Sequence, residues 1–301
     1  MKIIITGANG FIGRSLSTRL SAINHFSIFT PETFKFKDVI ELNENLRNID
    51  TIIHLAARVH IMRDTDTDPL AAFRKTNTEQ TLEFAHKAAE VGIKRFIFIS
   101  SIKVNGEMSS LNKPFTTSDI PNPIDPYGIS KMEAELGLHE LAMQTGMEVV
   151  IIRPPLVYGP GVKANFAALI RAVQRGIPLP LGSIQNQRSL VSLDNLIDLI
   201  TVCITHPKAA NQTFLVSDGH DLSTPDLIRG IADAAGVPAR LFPMPTWALQ
   251  MSGNLLGKGD AVQRLSGNLQ VDISKARDLL GWTPPLSVEE GLKRAVGNIE
   301  K

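Results

Sequence analysis

The sequence predicts an α/β protein with a doubly wound parallel β-sheet, followed by a smaller and mostly helical part. Through the first half of the chain, short apolar runs alternate with longer helical patterns, which is typical of parallel strands covered by helices on both faces. A glycine-rich turn at residues 7–13 joins the first strand to the first helix. After Pro154, prolines and glycines become frequent and helical patterns dominate, which predicts a second part with its own helices.

Each predicted strand of the first half is a short run rich in β-branched or aromatic residues. The strands are predicted at residues 2–6, 25–29, 50–55, 95–100 and 147–153. The first helix is predicted to follow the turn at residues 7–13 and to run to about residue 23, and the others are predicted at residues 69–91, 126–145, 165–175, 193–205, 224–235 and 287–299. We expect a sheet domain over residues 1–160 with a return segment at about 188–220, in which residues 188–205 rejoin the sheet. A second domain is expected at about 161–187 and 221–301.

Composition limits the class of protein. The 301 residues are 43% hydrophobic and 20% charged with a net charge of +1, which is typical of a soluble globular protein and gives no overall field for nucleic acid or an anionic membrane. The single Cys203 excludes an intrachain disulfide and suits a reducing cytoplasm. No apolar stretch approaches the ~20 residues of a membrane span, and the histidines show no metal-ligand spacing. We expect a cytoplasmic protein without a metal site or a membrane span.

The turn at residues 7–13 has the spacing G-x-x-G-x-x-G between a strand and a helix. Its glycines let the backbone approach a pyrophosphate closely, and the helix N-terminus offers N–H donors, so the turn predicts a Rossmann-type site for NAD or NADP. The ribose-binding acid of such sites is missing at Thr30 and Pro31, although Glu32 follows and leaves NAD open. Nearby cations favour tolerance of the 2′-phosphate of NADP, and they are Arg14, Lys35 and Lys37.

Residues 125–131 read Asp-Pro-Tyr-Gly-Ile-Ser-Lys and predict a helix start, with Asp125 as N-cap and Pro126 at the first helical position. Tyr127 and Lys131 are four residues apart and are therefore neighbours on one side of that helix. A free phenol has a pKa near ~10, and an adjacent ammonium favours the phenolate. We expect Lys131 to lower the pKa of Tyr127 towards a working range, although the pattern alone is more typical of a surface helix.

Six further fragments, taken with the glycine turn and the Tyr127–Lys131 helix, resemble the extended short-chain dehydrogenase/reductase family in its nucleotide-sugar branch. One of them is the run Arg-Pro-Pro-Leu-Val-Tyr-Gly-Pro-Gly that begins at Arg153. The resemblance covers essentially the whole chain. The fragments lie at residues 54–57, 76–81, 98–106, 153–161, 188–195 and 272–284.

The resemblance implies an NAD(P)-dependent enzyme with Ser101, Tyr127 and Lys131 as its catalytic triad, with Ser100 as the alternative serine. Tyr127 would exchange a proton with a sugar hydroxyl or ketone while hydride passes to or from nicotinamide. The implied cofactor contacts, besides Tyr127 and Lys131, are Gly7, Asn9, Gly10, Phe11, Ile12, Gly13, Arg14, Asp38, Leu55, Ala56, Ala57, Asn77 and Pro154. The implied substrate contacts are Ser101, Lys103, Tyr127, Asn165, Arg188 and Arg264, of which Arg264 is equally consistent with a surface ion pair. A homodimer through residues 69–91 and 126–145 is implied as well.

A departure from the resemblance narrows the reaction. Nucleotide-sugar dehydratases place Asp-Glu where this chain has Ile102-Lys103, so elimination of water is disfavoured. The motif Ser-Ile-Lys-Val-Asn-Gly is similar to bacterial UDP-N-acetylquinovosamine dehydrogenase-like 4-keto reductases. The preferred prediction is reduction of a UDP-4-keto-6-deoxy-hexosamine for polysaccharide (O-antigen) precursors. The alternatives are a UDP-hexose 4-epimerase and, less favoured, a non-catalytic dinucleotide-binding sensor.

A helical pattern at residues 245–256 carries Trp247, Leu249, Met251 and Leu255. Such a segment can shield a site, bind a partner or rest on a membrane surface. We expect it to pack in the ordinary way against the second domain.

Overall fold

A computed structural model gives the fold and describes residues 1–30, 48–59, 68–255, 257 and 259–297. The side chains of Asp260 and Ala261 are not described. The predicted cofactor contact Asp38 lies outside these ranges, as do Glu32, Lys35 and Lys37.

The core is a parallel sheet of six strands, which confirms the predicted α/β class. Its strand order is β2-β1-β3-β4-β5-β8, and every neighbouring pair runs parallel. The chain leaves β1 in one direction towards β2 and returns on its other side at β3, so the strand order reverses beside β1. The strands are β1 (Lys2–Thr6), β2 (Ser27–Phe29), β3 (Thr51–His54), β4 (Arg95–Ile99), β5 (Glu148–Arg153) and β8 (Gln212–Leu215).

The chain returns to the main sheet later than predicted. We expected residues 188–205 to rejoin it, but Leu190–Ser192 (β7) pairs with Leu156–Tyr158 (β6) in a separate sheet of two strands. The edge strand β8 joins β5 instead, from Val150 paired with Gln212 to Arg153 paired with Leu215.

Eleven α-helices are found in the described residues, and they are numbered here in chain order. They are α1 (Phe11–Ser21), α2 (Pro69–Phe73), α3 (Gln80–Glu90), α4 (Pro126–Thr145), α5 (Ala164–Gln174), α6 (Leu193–Thr205), α7 (Thr224–Ala235), α8 (Thr246–Leu255), α9 (Gly259–Ser266), α10 (Ser274–Leu280) and α11 (Val288–Gly297). A π-helical segment, Arg74–Glu79, joins α2 to α3, so the helix predicted at 69–91 is one element with a widened turn. Within the described ranges no helix is long and apolar enough to cross a bilayer.

Helix α4 starts where the sequence predicts, because its first turn is capped. The Asp125 carboxylate accepts a hydrogen bond from the Gly128 amide at 2.6 Å, and Pro126 fills the first helical position. The helix ends at Gly146, whose φ of 75° is a left-handed conformation that glycine adopts freely. The cap fixes the position of Tyr127 at the N-terminus of this helix.

Hydrophobic side chains form three buried clusters. The first two lie on the two faces of the main sheet, under α1 and α6 on one face and under α3 and α4 on the other. The third cluster lies outside the main sheet and is built mostly by α5, α7, α8 and α11. Leu269, Val271 and Trp282, which fall in the predicted second domain, pack in the first cluster against the sheet. The predicted domain division stays a prediction.

Candidate active site

A groove of about 780 Å³ lies across the carboxyl ends of β1, β3, β4 and β5, beside the point where the strand order reverses. Ligands of open α/β sheets bind at this position, and its volume is within the usual range of small-molecule sites. The groove brings together twelve of the predicted site residues, which are Gly7, Gly10, Phe11, Ile12, Gly13, Leu55, Ala56, Ala57, Ser101, Tyr127, Lys131 and Pro154.

The glycine turn packs backbone against backbone at one end of the groove. Gly7 has a φ of 69°, and a Cβ atom there would lie 2.7 Å from the Ala56 amide nitrogen. A Cβ atom on Gly13 would lie 2.2 Å from the carbonyl oxygen of Gly7. Gly10 is exposed and lines the groove, and its Cβ would approach only the Gly7 carbonyl, at 3.1 Å. The turn therefore needs Gly7 and Gly13 to close and leaves the Gly10 side open to a ligand.

Two features of this groove fit a dinucleotide. Helix α1 begins after Gly10 without a side-chain cap, so its first N–H groups remain available to a pyrophosphate. The hydroxyl of Ser100, which lines the middle of the groove, is buried without a hydrogen-bond partner. An unsatisfied buried hydroxyl is costly in a native fold, and a polar ligand in the groove would satisfy it.

The three predicted catalytic residues come from two elements that meet at the groove. Ser101 follows β4 and caps a short 3₁₀ helix, Ile102–Val104. Tyr127 lies in the first turn of α4, where it is half-buried, and it lines the groove together with Ser101. Lys131 lies one turn further along α4 and is only 1% exposed. Its ammonium group donates to the carbonyl oxygen of Ile99 at 2.9 Å.

The pKa of Tyr127 does not follow the sequence-based expectation. Burial and the nearby Asp125 carboxylate raise the pKa of Tyr127 above its ordinary value, and the Ser101 hydroxyl opposes them. Burial lowers the pKa of Lys131 to about 7, with Glu135 acting in the opposite direction. The expected lowering of the phenol pKa by Lys131 is therefore wrong for this structure. The reason is that burial acts on both groups and favours the neutral form of each.

Lys103 lines a second cavity, separate from the groove. Burial opposes its charge, yet hydrogen bonds to Asp125 and Glu107 raise the pKa of Lys103. The cavity has a volume of about 380 Å³ and is also lined by Arg264. Asp125 therefore has two roles, because one carboxylate oxygen caps α4 and the other pairs with Lys103.

The predicted substrate contacts are only partly brought together. Arg264 and Lys103 share the second cavity. Arg188 donates to the carbonyl oxygens of Arg264 at 2.7 Å and Gly267 at 3.1 Å, so it holds the end of α9. Burial lowers the pKa of Arg188, which Glu107 opposes. Asn165 is exposed in the first turn of α5.

Three predicted cofactor contacts, Asn9, Arg14 and Asn77, do not line the groove. Arg14 donates from Nε to the carbonyl oxygen of Asn9 at 2.9 Å and lines another cavity, beside α6. Asn77 is fully buried and bonds to both the amide and the carbonyl of Arg58, as well as to Ser130. The Asn77 side chain thus holds the backbone of Arg58, which follows β3 and lines the groove.

Sequence reasoning missed several polar contributors. Thr76 and Gln80 line the groove from the π-helical segment and the start of α3, and the only signal was their place in the fragment at 76–81. Arg153 is buried at the end of β5 and pairs with Glu135, one turn beyond Lys131. Arg153 also donates to the Asn105 side chain at 2.8 Å, which ties α4, β5 and the segment after Ser101 together.

The fold and the groove define an α/β protein with a Rossmann-type dinucleotide-binding site. The sequence profile of the NAD dependent epimerase/dehydratase family matches residues 3–217, and the chain belongs to this family.

Three similar proteins carry two different reactions in their names, 4-epimerisation and reduction. A UDP-glucose 4-epimerase from Vibrio cholerae is 50% identical over 97% of this chain and 93% of its own length. A GDP-6-deoxy-D-mannose reductase from Pseudomonas aeruginosa is 25% identical over 99% of this chain and 97% of its own. The crystal structure of a UDP-glucose 4-epimerase with UDP-glucose, from Thermotoga maritima, has a TM-score of 0.78 at 25% identity. It covers 99% of this chain and 98% of that one.

Proposed function

We propose that this protein is an NAD(P)-dependent 4-epimerase of a UDP-linked hexose, with Ser101, Tyr127 and Lys131 as its catalytic residues. One observation carries the proposal. Ser101, Tyr127 and Lys131 line the same dinucleotide groove in a chain that is half identical to a UDP-glucose 4-epimerase over nearly its whole length.

The residues support acid–base chemistry at one sugar oxygen. When bound, NAD⁺ or NADP⁺ supplies the hydride acceptor for C4 of the sugar and returns the hydride to its other face. Tyr127 must be in its phenolate form, stabilised by the ammonium form of Lys131, to take the proton of the C4 hydroxyl as the ketone forms. The resulting phenol gives the proton back in the second half of the reaction. Ser101 donates a hydrogen bond to the same oxygen and fixes its position.

Lys131 suits a position behind this pair. Its pKa of about 7 lets it gain or lose a proton near neutral pH, and its amine is held in place by the Ile99 carbonyl. An ammonium at that site stabilises negative charge developing on Tyr127.

Dehydration finds less support from the side chains present. Ile102 and Lys103 stand where dehydratases need a carboxylate pair. The carboxylates of Asp125 and Glu107 both lie against Lys103, in the lining of the second cavity and not in that of the groove. Removing water from a sugar requires a carboxylic acid that reaches the leaving hydroxyl, so these two groups are poor substitutes.

The second cavity is the proposed place of the nucleotide diphosphate. Lys103 and Arg264 line it, and two of its lining residues, Lys103 and Asp125, are each two positions along the chain from Ser101 and Tyr127, respectively. A diphosphate carries several negative charges and is stabilised by lysine and arginine donors. Arg188 acts there through the backbone of Arg264, which it holds.

The reaction type is decided by cofactor turnover. The purified protein is incubated with UDP-glucose, UDP-galactose, their N-acetyl forms and a UDP-4-keto-6-deoxy-hexosamine, while NADH and NADPH are followed separately. An epimerase interconverts the C4 epimers with no net change in NAD(P)H. Stoichiometric oxidation of NADH or NADPH by the keto sugar, without epimer exchange, would instead establish the 4-keto reductase that the sequence motif favoured.

The choice between NAD and NADP is tested by a separate binding measurement. The second-strand region that discriminates NAD from NADP includes Glu32 and Asp38. We propose tolerance of both dinucleotides, tested by titrating NADH and NADPH separately against the purified protein. Comparable dissociation constants support tolerance, and a difference of more than a hundredfold contradicts it.

A homodimer through α3 and α4 is proposed on the exposed face of α4. Leu136 and Met143 are exposed there and lie seven residues apart, two turns along the same side of the helix. Light scattering of the wild type and of a Leu136→Glu/Met143→Glu variant tests this. A wild-type monomer would contradict it.

We place the protein in the cytoplasm, where its one thiol, the buried Cys203, stays reduced.

A further inference from the structure

Helix α8 exposes apolar side chains that the sequence led us to expect inside the molecule. Of the four large apolar residues in this segment, Leu249 is buried in the third cluster. Trp247 is 69% exposed and Leu255 is 86% exposed, and Met251 lies between them on the same side of the helix. Their spacing of four residues forms one apolar stripe. Ordinary packing therefore accounts for one face of α8 and leaves the other without a partner within the described residues.

The chain segments around this stripe carry cations and no acids. Residues 154–187 contain three Lys or Arg residues without a single Asp or Glu, and residues 234–257 contain one and likewise no acid. Arg171, Arg175 and Arg240 are exposed members of these segments. In the part of the chain that the structure describes, none of the three lies in an ion pair. The overall net charge of +1 conceals this local excess of positive charge.

The three arginines and the apolar stripe of α8 lie on segments that neighbour one another in the fold. Arg171 and Arg175 line one small cavity at the end of α5, and the Arg240 guanidinium lies 3.5 Å from where a Gly176 Cβ would be. The backbone of Leu179 pairs with Arg240 and Phe242, and α8 begins four residues after Phe242.

All these elements cover the third hydrophobic cluster. The side chains that pack into this cluster identify the inner side of each element, and the remaining side chains face away from it. Phe166, Ile170 and Val173 of α5 pack into this cluster, as do Leu241 and Leu249. The residues between them alternate outwards, so Arg240 and Phe242 point away from the core that Leu241 contacts. The resulting surface, called the docking face below, consists of Arg171, Arg175, Arg240, Phe242, Trp247, Met251 and Leu255.

We propose that the docking face binds the surface of a lipid bilayer that contains anionic headgroups. Exposed tryptophan and aliphatic side chains insert at the boundary between headgroups and acyl chains, while arginines attract anionic lipids. This inference goes beyond the proposed epimerase activity and does not depend on it.

The chemistry of the docking face favours a bilayer over other occupants. A second copy docked through the same face would bring like charges together, because a twofold interface places the same patch on both partners. The phosphates of a nucleic acid would bind the arginines, but a nucleic acid offers no apolar surface to cover the aliphatic side chains of Met251 and Leu255. A bilayer surface satisfies both parts of the face at once.

The test uses the full-length protein and vesicles of defined composition. Sedimentation with vesicles of phosphatidylcholine alone is compared with sedimentation with phosphatidylcholine containing about one-third phosphatidylglycerol. The protein is expected to bind the anionic vesicles, to bind neutral vesicles at least tenfold more weakly, and to be released by salt.

Tryptophan fluorescence reports insertion directly because the chain has two tryptophans in different surroundings. Trp282 is 4% exposed and donates to the Asp198 carboxylate, so lipid does not change its environment. Trp247 is expected to shift to shorter wavelength on anionic vesicles. A Trp282→Phe variant keeps this shift and a Trp247→Phe variant loses it.

Two multiple variants separate the charge from the apolar stripe. Arg171→Glu/Arg175→Glu/Arg240→Glu is expected to weaken vesicle binding by at least fivefold for each charge removed. Trp247→Ser/Met251→Ser/Leu255→Ser is expected to weaken it at least tenfold. The matched controls are Lys94→Glu/Lys113→Glu/Lys208→Glu for charge and Leu111→Ser/Ile120→Ser for exposed apolar area, and both are expected to bind as the wild type does.

The outcomes are distinct from those of the activity assay. Circular dichroism and turnover of soluble nucleotide sugars show that each variant is folded, since no residue of the docking face lies in the catalytic groove. Failure of the wild type to bind anionic vesicles would overturn the proposal. So would equal losses in the docking-face variants and their controls, or a self-association that depends on Trp247 and occurs without lipid.

Discussion

The ammonium group of Lys131 donates to the carbonyl oxygen of Ile99 at 2.9 Å and lies 6.0 Å from the centre of the Tyr127 ring. Ile99 is the last residue of β4, and Ser101 follows it by two positions. The same ammonium also lies 4.3 Å from the centre of the Phe98 ring. Lys131 therefore ties α4, which carries Tyr127, to the end of the strand that leads to Ser101.

This placement has a cost in stability that depends on pH. Burial lowers the pKa of Lys131 from 10.5 to about 7. Below pH 7 both the folded and the unfolded chain carry the ammonium, and the folded state bears the full cost of burying it. Between pH 7 and 10.5 the unfolded chain binds the proton and the folded chain does not, so the free energy of unfolding rises with pH.

Lys131→Met is expected to stabilise the protein near neutral pH. The gain in unfolding free energy should be roughly 2–4 kcal/mol at pH 7 and should disappear towards pH 10.5, since the lysine of the wild type is neutral there. Urea unfolding between pH 6 and pH 10 measures it. Lys87→Met, at an exposed position on α3, is the control and should change stability by less than about 0.5 kcal/mol. A Lys131→Met variant that is less stable than the wild type at every pH would contradict the expectation.

The tyrosines offer a matched pair for the catalytic proposal, because the chain has two of them. Tyr127→Phe should lower kcat by about 10²- to 10⁴-fold, the usual contribution of a positioned acid or base, while dinucleotide affinity changes little. Tyr158 is buried and donates to the Asp218 carboxylate at 2.7 Å, away from the groove. Tyr158→Phe should therefore reduce stability and keep kcat. Equal kcat values in wild type and Tyr127→Phe would remove Tyr127 from the reaction.

The glycine turn predicts opposite effects for two neighbouring alanine substitutions. A Cβ on Gly13 would meet the Gly7 carbonyl and the Ala8 backbone, neither of which can move easily. Gly13→Ala should cost about 1–3 kcal/mol of unfolding free energy or more. A Cβ on Gly10 would approach only the Gly7 carbonyl, at 3.1 Å, and Gly10 lines the groove, so Gly10→Ala should cost less unfolding free energy than Gly13→Ala and bind NAD(P) at least tenfold more weakly. Isothermal titration with the dinucleotide and urea unfolding of both variants test this, and unchanged affinity in Gly10→Ala would contradict it.

Local signals in the sequence account for much of the fold. The helix predicted at 126–145 has the observed bounds of α4, because its N-cap, its first proline and its terminal Gly146 are all short-range features. The helices predicted at 193–205 and 224–235 agree for the same reason, with Ser192 and Ser223 as N-caps. The strands also agree to within two residues, because each is a short apolar run bounded by polar or turn-forming residues.

Partners chosen by the tertiary fold account for what the sequence did not reveal. The sequence places Lys131 beside Tyr127, but the Lys131 side chain donates its hydrogen bond to the carbonyl oxygen of Ile99, 32 positions earlier in the chain. Arg188 resembles a diphosphate ligand in its fragment, yet its guanidinium bonds to carbonyls at Arg264 and Gly267. Neither acceptor leaves a side-chain signal, because main-chain carbonyls occur at every position.

His54 allows a last prediction, about acid stability. Its Nδ1 lies 2.9 Å from the Thr6 hydroxyl and its Nε2 lies 3.1 Å from the Thr81 hydroxyl, so both ring nitrogens are in hydrogen bonds inside the protein. Burial, with a smaller effect from Lys131, lowers the pKa of His54 from 6.5 to about 3. Above pH 6.5 neither the folded nor the unfolded chain carries the proton. As the pH falls from 6.5 towards 3, the unfolded chain binds it first and the folded state loses stability.

Between pH 6.5 and pH 5 this loss should reach about 2 kcal/mol, since each pH unit is worth ~1.4 kcal/mol for one proton. His54→Gln removes the titrating ring, so its unfolding free energy should be lower than that of the wild type at pH 8 but should fall less steeply on acidification. His86→Gln, at an exposed site on α3, should keep the wild-type slope. Urea unfolding of the three proteins from pH 8 to pH 5 measures these slopes. Parallel curves for wild type and His54→Gln would mean that the buried ring accepts a proton in the folded state, and that its two threonine contacts do not hold it neutral.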